Sequence, residues 1–238
     1  MKVAVIPARG GSKRIPRKNI KPFCGKPMIA YAIGKAQSSG LFDHIVVSTD
    51  DEEIVRVTIE CGAEVPFVRP VALADDYTPT VPVIAHAISA CQTLGWQIDQ
   101  VCCIYPSVPF LQEDDLAAAL RLLETSGADC TFPVAAYPSA IQRALRLLPN
   151  GLMEPFYNQY AMTRTQDLEP AFYDAGQFYW GLAQAWLAGR VAHKYGGGLV
   201  IPNWRVVDID TLEDWQRAEL MFAAFNNGNV VIDNFENK

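Results

Sequence analysis

The chain has 238 residues, of which 50% are hydrophobic and 19% charged, and a formal net charge of −6. That length suits one large domain or two small ones, big enough to bury a core without disulfides or a structural metal, and the composition excludes a largely disordered chain. The acidic balance argues against broad binding of nucleic acid. No apolar run reaches the ~18–20 residues that span a bilayer, and the opening MKVAVIPARGG lacks a signal-peptide h-region, so no membrane association and a cytoplasmic location are expected.

In chain order, KVAVIPA (2–8) is a β-branched apolar run ending at glycine and reads as a buried first strand. Pro27 can open a helix that continues through MIAYAIGKAQSS. HIVVSTD (44–50) reads as a second buried strand, DEEIVRVTIECG as a helix with a terminal glycine, and AEVPFV (63–68) as a short strand. A Pro-containing loop over 69–79 precedes a helix over about 80–94, then a strand QVCCIYP (100–106). EDDLAAALRLLETSG (113–127) is a helix with acids in its first turn, where the helix dipole favours them, and DCTFPVA is a further strand. This alternation predicts βαβ units and a mostly parallel sheet covered on both faces.

The pattern changes over 136–180. IQRALRLLPNG reads as a strand entering a turn and GQFYWG as another strand, while the stretch between them has no clean period. It is expected to be an inserted excursion within a single domain spanning 1–238, and a subunit contact. The apolar stretch 152–163, with Phe156, Tyr157, Tyr160 and Met162, predicts a homodimer, since a lone subunit would expose it. RVVDID (205–210) reads as a strand, and TLEDWQRAELMFAAF as a helix packing Trp215, Ala218, Phe222 and Phe225 into the core. The tail after it is too polar and short to interpret.

None of the six cysteines has C-x-x-C spacing, so no zinc ribbon or redox motif is indicated; adjacent Cys102 and Cys103 are expected on opposite faces of a strand. The three histidines form no spaced ligand motif, and no G-x-S-x-G elbow supports hydrolase chemistry.

The first chemical signal is charge. Residues 1–42 contain nine Lys and Arg and no acid, and seven of the nine fall between Arg9 and Lys26. Such a cluster in an acidic chain is either a solvated loop or a site for a small polyanion. Its backbone context favours the polyanion. Ala8 and Arg9 end a parallel strand, Gly10 and Gly11 let the chain turn and approach a ligand, and Arg9, Lys13 and Lys18 bring cations to the strand end, where open α/β sheets bind. The loop is neither a Walker A sequence nor a G-x-G-x-x-G fingerprint. The second signal is Asp208-Ile209-Asp210. Two carboxylates two apart on an extended segment share a face and suit a hard cation such as Mg²⁺, while Asp210 could equally cap the following helix. Further candidates follow other strand ends: Arg69 through Asp76, Tyr105 through Phe110, Gln142-Arg143 with Arg164, and Asp174 through Gln177.

These segments, PARGGSKRIPRKNI, GKPMI, VSTDDEEI, VRPVALADD, YPSVPF and DIDTLEDW, resemble the acylneuraminate cytidylyltransferase family, the CMP-sialic acid synthetases and their relatives, from residue 2 to about 225. ADDYTPTVPVIAHA, CCIYPSVPFL, IQRAL and DAGQFYWG are most similar to the branch that acts on pseudaminic acid. The resemblance implies a Rossmann-like three-layer α/β sandwich of the nucleotide-diphospho-sugar transferase type. It implies a reaction of CTP with a nine-carbon 2-keto acid sugar, giving the CMP-sugar and pyrophosphate. It places Ala8, Arg9, Gly10, Gly11, Ser12, Lys13, Lys18 and Asn19 at the nucleotide and its phosphates. Arg69 and Asp76 fall in the loop accompanying cytosine and ribose, and Asp208 and Asp210 on the Mg²⁺-binding pair. Tyr105, Gln142, Arg143, Arg164, Asp174 and Gln177 are expected around the sugar, with Arg143 or Arg164 clamping its carboxylate. Sialic acid enzymes often carry Gln where this chain has Tyr105, and Arg-Pro-Asn-Gly where it has Tyr173-Asp174-Ala175-Gly176, which favours a differently substituted nonulosonic acid. The alternatives are N-acetylneuraminic acid, legionaminic acid or KDO as the sugar, and a nucleotide-sugar-binding module without turnover.

Overall fold

The computed structural model describes residues 1–190 and 192–226. The polar tail left without assignment lies almost wholly outside them. In chain order the elements are β1 (Lys2–Pro7), the short pair β2 (Pro22–Phe23) and β3 (Lys26–Pro27), α1 (Met28–Ser39), β4 (His44–Ser48), α2 (Glu52–Glu60), α3 (Thr80–Thr93), β5 (Gln100–Ile104), α4 (Glu113–Ser126), β6 (Cys130–Ala136), β7 (Leu145–Leu147), β8 (Met153–Pro155), β9 (Phe172–Asp174), β10 (Phe178–Leu182), α5 (Ala183–Leu187), α6 (Ala192–Tyr195), β11 (Gly196–Val200) and α7 (Leu212–Asn226).

The main sheet runs β11-β6-β10-β5-β1-β4, with β9 also paired to β6. β1 is parallel to both neighbours, while β10 runs antiparallel between β5 and β6. The apolar runs alternate across this sheet. Ala4, Ile6 and Cys102 face a core shared with α1, α2 and α4, while Val3, Val5 and Cys103 face α3 and α5. The result is the expected three-layer α/β sandwich. Burial pushes both thiols up, which leaves them inert hydrophobes. No helix among the described residues is long and apolar enough to cross a membrane.

Three expectations change. AEVPFV is a single parallel bridge, Val46 to Glu64, because Pro66 has no N–H to extend a ladder. RVVDID is not a strand. After a 3₁₀ turn at Asn203–Arg205 it runs without a ladder partner, yet keeps a strand's alternation, with Ile209 buried and Asp208 and Asp210 on the other side. The main-sheet strands missing from the sequence reading are β9, inside the stretch without a clean period, and β11, whose three glycines gave no apolar pattern. The glycines let β11 lie against β6, since a Cβ on Gly196 would meet the carbonyl oxygen of Ala192 at 2.5 Å and Phe132 at 2.9 Å.

The segment over 136–180 contains the β7–β8 hairpin and three 3₁₀ turns, and Leu147, Leu152, Phe156 and Met162 on it are exposed. It returns to the sheet through β9. Asp174 pairs with Val134 and Trp180 with Thr131, so six residue steps on one strand face three on the other. The surplus Ala175-Gly176-Gln177 forms a bulge with Gly176 at φ +61°, its ends still held by Ala175 N on Pro133 O at 3.0 Å and Tyr105 N on Gln177 O at 2.9 Å.

α7 opens with a reciprocal cap. Thr211 Oγ1 accepts from Asp214 N at 3.1 Å, and Asp214 Oδ2 accepts from Thr211 N at 2.9 Å. The cap is therefore Thr211, which leaves the Asp210 side chain free for other partners. Thr211→Ala is expected to lower the free energy of urea unfolding by about 1 kcal/mol; an unchanged midpoint would show that the box contributes nothing.

Candidate active site

A cleft of about 670 Å³ opens at the C-terminal ends of β1 and β5. It brings together Arg9, Ser12, Lys13, Lys18, Asn19, Arg69 and Asp76, all expected at the nucleotide, with Tyr105, Asp174 and Gln177 from the expected sugar end. Asp208 and Asp210 complete its lining. Ala8, Gly10 and Gly11 do not line the cleft: Gly11 is exposed, and Ala8 is wholly buried with its N–H on Ser48 O at 2.9 Å.

The cationic loop is held by carboxylates from three other parts of the chain. Gly10 N donates to Asp50 Oδ1 at 3.1 Å. A Cβ on Gly10 would meet Asp51 Oδ2 at 2.6 Å, so this glycine is required by close packing, and its φ is not positive. Gly11 is unhindered by comparison, its nearest neighbour being Arg9 Nη1 at 3.9 Å. Arg17, at φ +56°, donates to both Asp51 oxygens at 2.5 and 2.8 Å and also pairs with Glu53. Asp51 in turn caps α2 through the amides of Glu53 and Ile54. Arg9 pairs with Asp76 at 2.5 Å, and Lys13 pairs with the same carboxylate. Arg14 reaches Asp210 at 2.6 Å, and Lys18 reaches the same carboxylate at 3.5 Å while also donating to Ile209 O. Asn19 is buried and donates to Arg9 O at 3.0 Å, so it shapes the loop from behind.

Arg69 lies almost wholly buried beneath the cleft, donating through Nε to Ser48 Oγ at 3.1 Å and through Nη2 to Ser48 O. Burial pushes it down to about 10, which still leaves it charged near neutral pH. At the other end, Tyr105 Oη and Thr80 Oγ1 are 2.9 Å apart. Asp174 accepts from Tyr179 Oη at 2.7 Å, contacts His193 Nε2 at 2.6 Å and accepts from Gly176 N at 2.8 Å. Gln177 is buried and donates to Arg205 O at 2.7 Å.

Three expected sugar residues do not reach this cleft. Gln142 donates to Glu169 O, Arg143 to Thr163 O, and Arg164 pairs with Asp167 at 2.7 Å, all on the excursion. The arginine lining the cleft beside Gln177 is Arg205, committed to Asp115 through both terminal nitrogens. Sequence reasoning missed Arg205 because it opens the segment read as a strand instead of following one, and missed Tyr179 and His193 because only the fold brings them to Asp174.

A family model for cytidylyltransferases matches residues 3–168. The chain is 41% identical to a pseudaminic acid cytidylyltransferase of Campylobacter jejuni over 221 residues, 92% of this chain and 95% of that one.

The chain belongs to the cytidylyltransferase family.

A CMP-N,N'-diacetyllegionaminic acid synthase of Legionella pneumophila is 36% identical over 125 residues, 52% of this chain and 54% of that one. Among solved structures, the fold matches a CMP:2-keto-3-deoxy-manno-octonic acid synthetase complexed with CTP, with TM-score 0.69 and 16% identity over 94% of this chain and 99% of that one. The cationic loop and the Arg69–Asp76 loop both fall within the matched family region, whereas Asp174 to Asp210 lie beyond it.

The clamp on the loop has a pH signature. Arg17 holds the Asp51 carboxyl at about 2, below an ordinary carboxylate. A carboxyl depressed in the folded state contributes stability that is complete above its unfolded value and is lost as pH falls toward the folded one. The thermal midpoint of the native chain is therefore expected to fall more steeply between about pH 5 and pH 2 than that of Asp51→Asn; parallel curves would contradict the clamp.

Proposed function

We propose that this cytidylyltransferase joins CTP to a nonulosonic acid, pseudaminic acid, releasing pyrophosphate. The observation that carries the reading is a cationic loop at the end of β1 that lines one cleft with Asp208 and Asp210, Arg14 and Lys18 meeting Asp210 directly, in a chain 41% identical over 92% of its length to a pseudaminic acid cytidylyltransferase. In this reading Arg9, Lys13 and Lys18 bind the triphosphate, and in-line attack by the sugar's anomeric hydroxyl on the α-phosphate is driven by positioning and charge stabilisation. Lys13, exposed at the loop tip, neutralises the departing pyrophosphate. Arg69 fixes the floor beneath the nucleoside, and Tyr105, Asp174 and Gln177 frame the sugar.

Asp208 and Asp210 fit one Mg²⁺. No group of three or more metal-ligating side chains occurs among the described residues, but Mg²⁺ takes only one or two carboxylates and completes its shell with water and substrate phosphates. Asp208 is exposed, and the Thr211 cap releases Asp210 from helix capping. When bound there, the ion would withdraw charge from the phosphate and acidify the attacking hydroxyl. If the pair acts as a unit, Asp208→Asn and Asp210→Asn each lower kcat/KM by about 100-fold or more, and the double variant costs little beyond either. A fully active Asp210→Asn protein would rule the pair out.

The panel that tests the whole reading measures pyrophosphate release from CTP with pseudaminic, legionaminic, N-acetylneuraminic and KDO acids. Turnover is expected with pseudaminic acid above the others. Turnover with another acid would replace the sugar assignment, and CTP binding without turnover on any of them would favour a non-catalytic module.

The reading includes a homodimer of single-domain subunits in the cytoplasm. Its support is the β7–β8 hairpin and the turn that follows it, where Leu145, Leu147, Leu152, Phe156 and Met162 are all more than half exposed. Sedimentation at micromolar concentration is expected to give twice the 26.3 kDa protomer mass; a protomer alone would overturn it.

A further inference from the structure

The residue expected beside cytosine and ribose, Asp76, is instead spent on the phosphate loop. Its Oδ1 lies 2.5 Å from Arg9 Nη1 and its Oδ2 pairs with Lys13 Nζ. One carboxylate thus bridges two cations with both its oxygens, as a phosphate group would. Lys13 and Arg9 also hold the Asp76 carboxyl below the usual carboxylate range, so it is anionic at neutral pH.

The loop carrying Asp76 keeps its shape without that contact. Asp75 Oδ1 accepts from Tyr77 N at 2.8 Å, from Thr78 N at 2.6 Å and from Thr78 Oγ1 at 2.8 Å, a self-contained turn. Before it, the 3₁₀ turn Val71–Leu73 closes through Ala74 N on Val71 O. Tyr77, next to Asp76, is 91% exposed. Arg9 is fixed from the other side, its carbonyl held by buried Asn19. Two preformed pieces therefore meet through two half-exposed ion pairs, which are individually weak and exchangeable.

We propose that Asp76 is a built-in occupant of the phosphate site, displaced by the incoming polyphosphate, so that nucleotide binding releases the 71–79 loop from the loop over 9–18. A triphosphate carries more charge than one carboxylate and can reach Arg14 and Lys18 as well, so it wins the exchange. Asp76 meanwhile keeps two like charges compensated in the free protein. The inference rests on the assignment of the 9–18 loop as the polyphosphate site.

The test uses the full chain, calorimetry, and two probes, inorganic tripolyphosphate and CTP. Asp76→Asn and Asp76→Ala are each expected to bind tripolyphosphate about three- to tenfold more tightly than the native chain, the scale of two exposed ion pairs. Equal or weaker binding, or no binding to any of the three proteins, overturns the proposal. CTP separates this from the function: tighter tripolyphosphate binding with no preference for CTP over ATP would leave the displacement standing and remove the cytidylyl reading. The native chain supplies an independent measurement that needs no variant to fold. Hydrogen exchange of the amides over 71–79 is expected to quicken when tripolyphosphate is added, and unchanged or slower exchange overturns the release.

Discussion

Like charges packed into one short loop repel one another, and this cleft exists because carboxylates from elsewhere in the chain hold that loop together. Asp50 and Asp51 reach it from the start of α2, Asp76 from the 69–79 loop and Asp210 from the segment before α7. Each tie brings a different wall to the end of β1. The acidic character of the rest of the chain is thus part of how the basic loop folds.

The ties differ in burial, and that difference divides their work. Arg17–Asp51 is half-buried, doubles as the α2 cap and depresses a carboxyl to about 2; it sets the shape of the loop. Lys13 and Arg14 stand mostly in solvent and are bound only through exposed pairs, so a ligand with more charge can take them over. The opposite end of the cleft is built by backbone. The bulge over Ala175-Gly176-Gln177 breaks the regular register beside Asp174, whose carboxylate is fixed by Tyr179, His193 and Gly176.

Much of this was legible from residues alone. Apart from AEVPFV and the short β2–β3 pair, the order of strands and helices through β6 follows from apolar runs and caps, and the loop from its charge at a strand end. What the sequence could not show depends on the third dimension or on missing signals. Three consecutive glycines hid β11. RVVDID has a strand's alternation without a neighbour, so its carboxylates share a face as expected for a different reason. Gly10 is small because Asp51 sits against it, which no local turn rule reveals. Gln142, Arg143 and Arg164 looked like cleft residues by analogy of position, but the excursion carries them away, and Arg205 stands in the cleft instead.

The central claim is that the loop over 9–18 binds through phosphate charge. It is tested most directly by thermal shift of the native chain with cytidine, CMP and CTP at equal concentration and low salt, repeated at high salt. The account predicts stabilisation that rises steeply from cytidine to CTP and shrinks with added salt. Equal protection by cytidine and CTP, indifferent to salt, would contradict it.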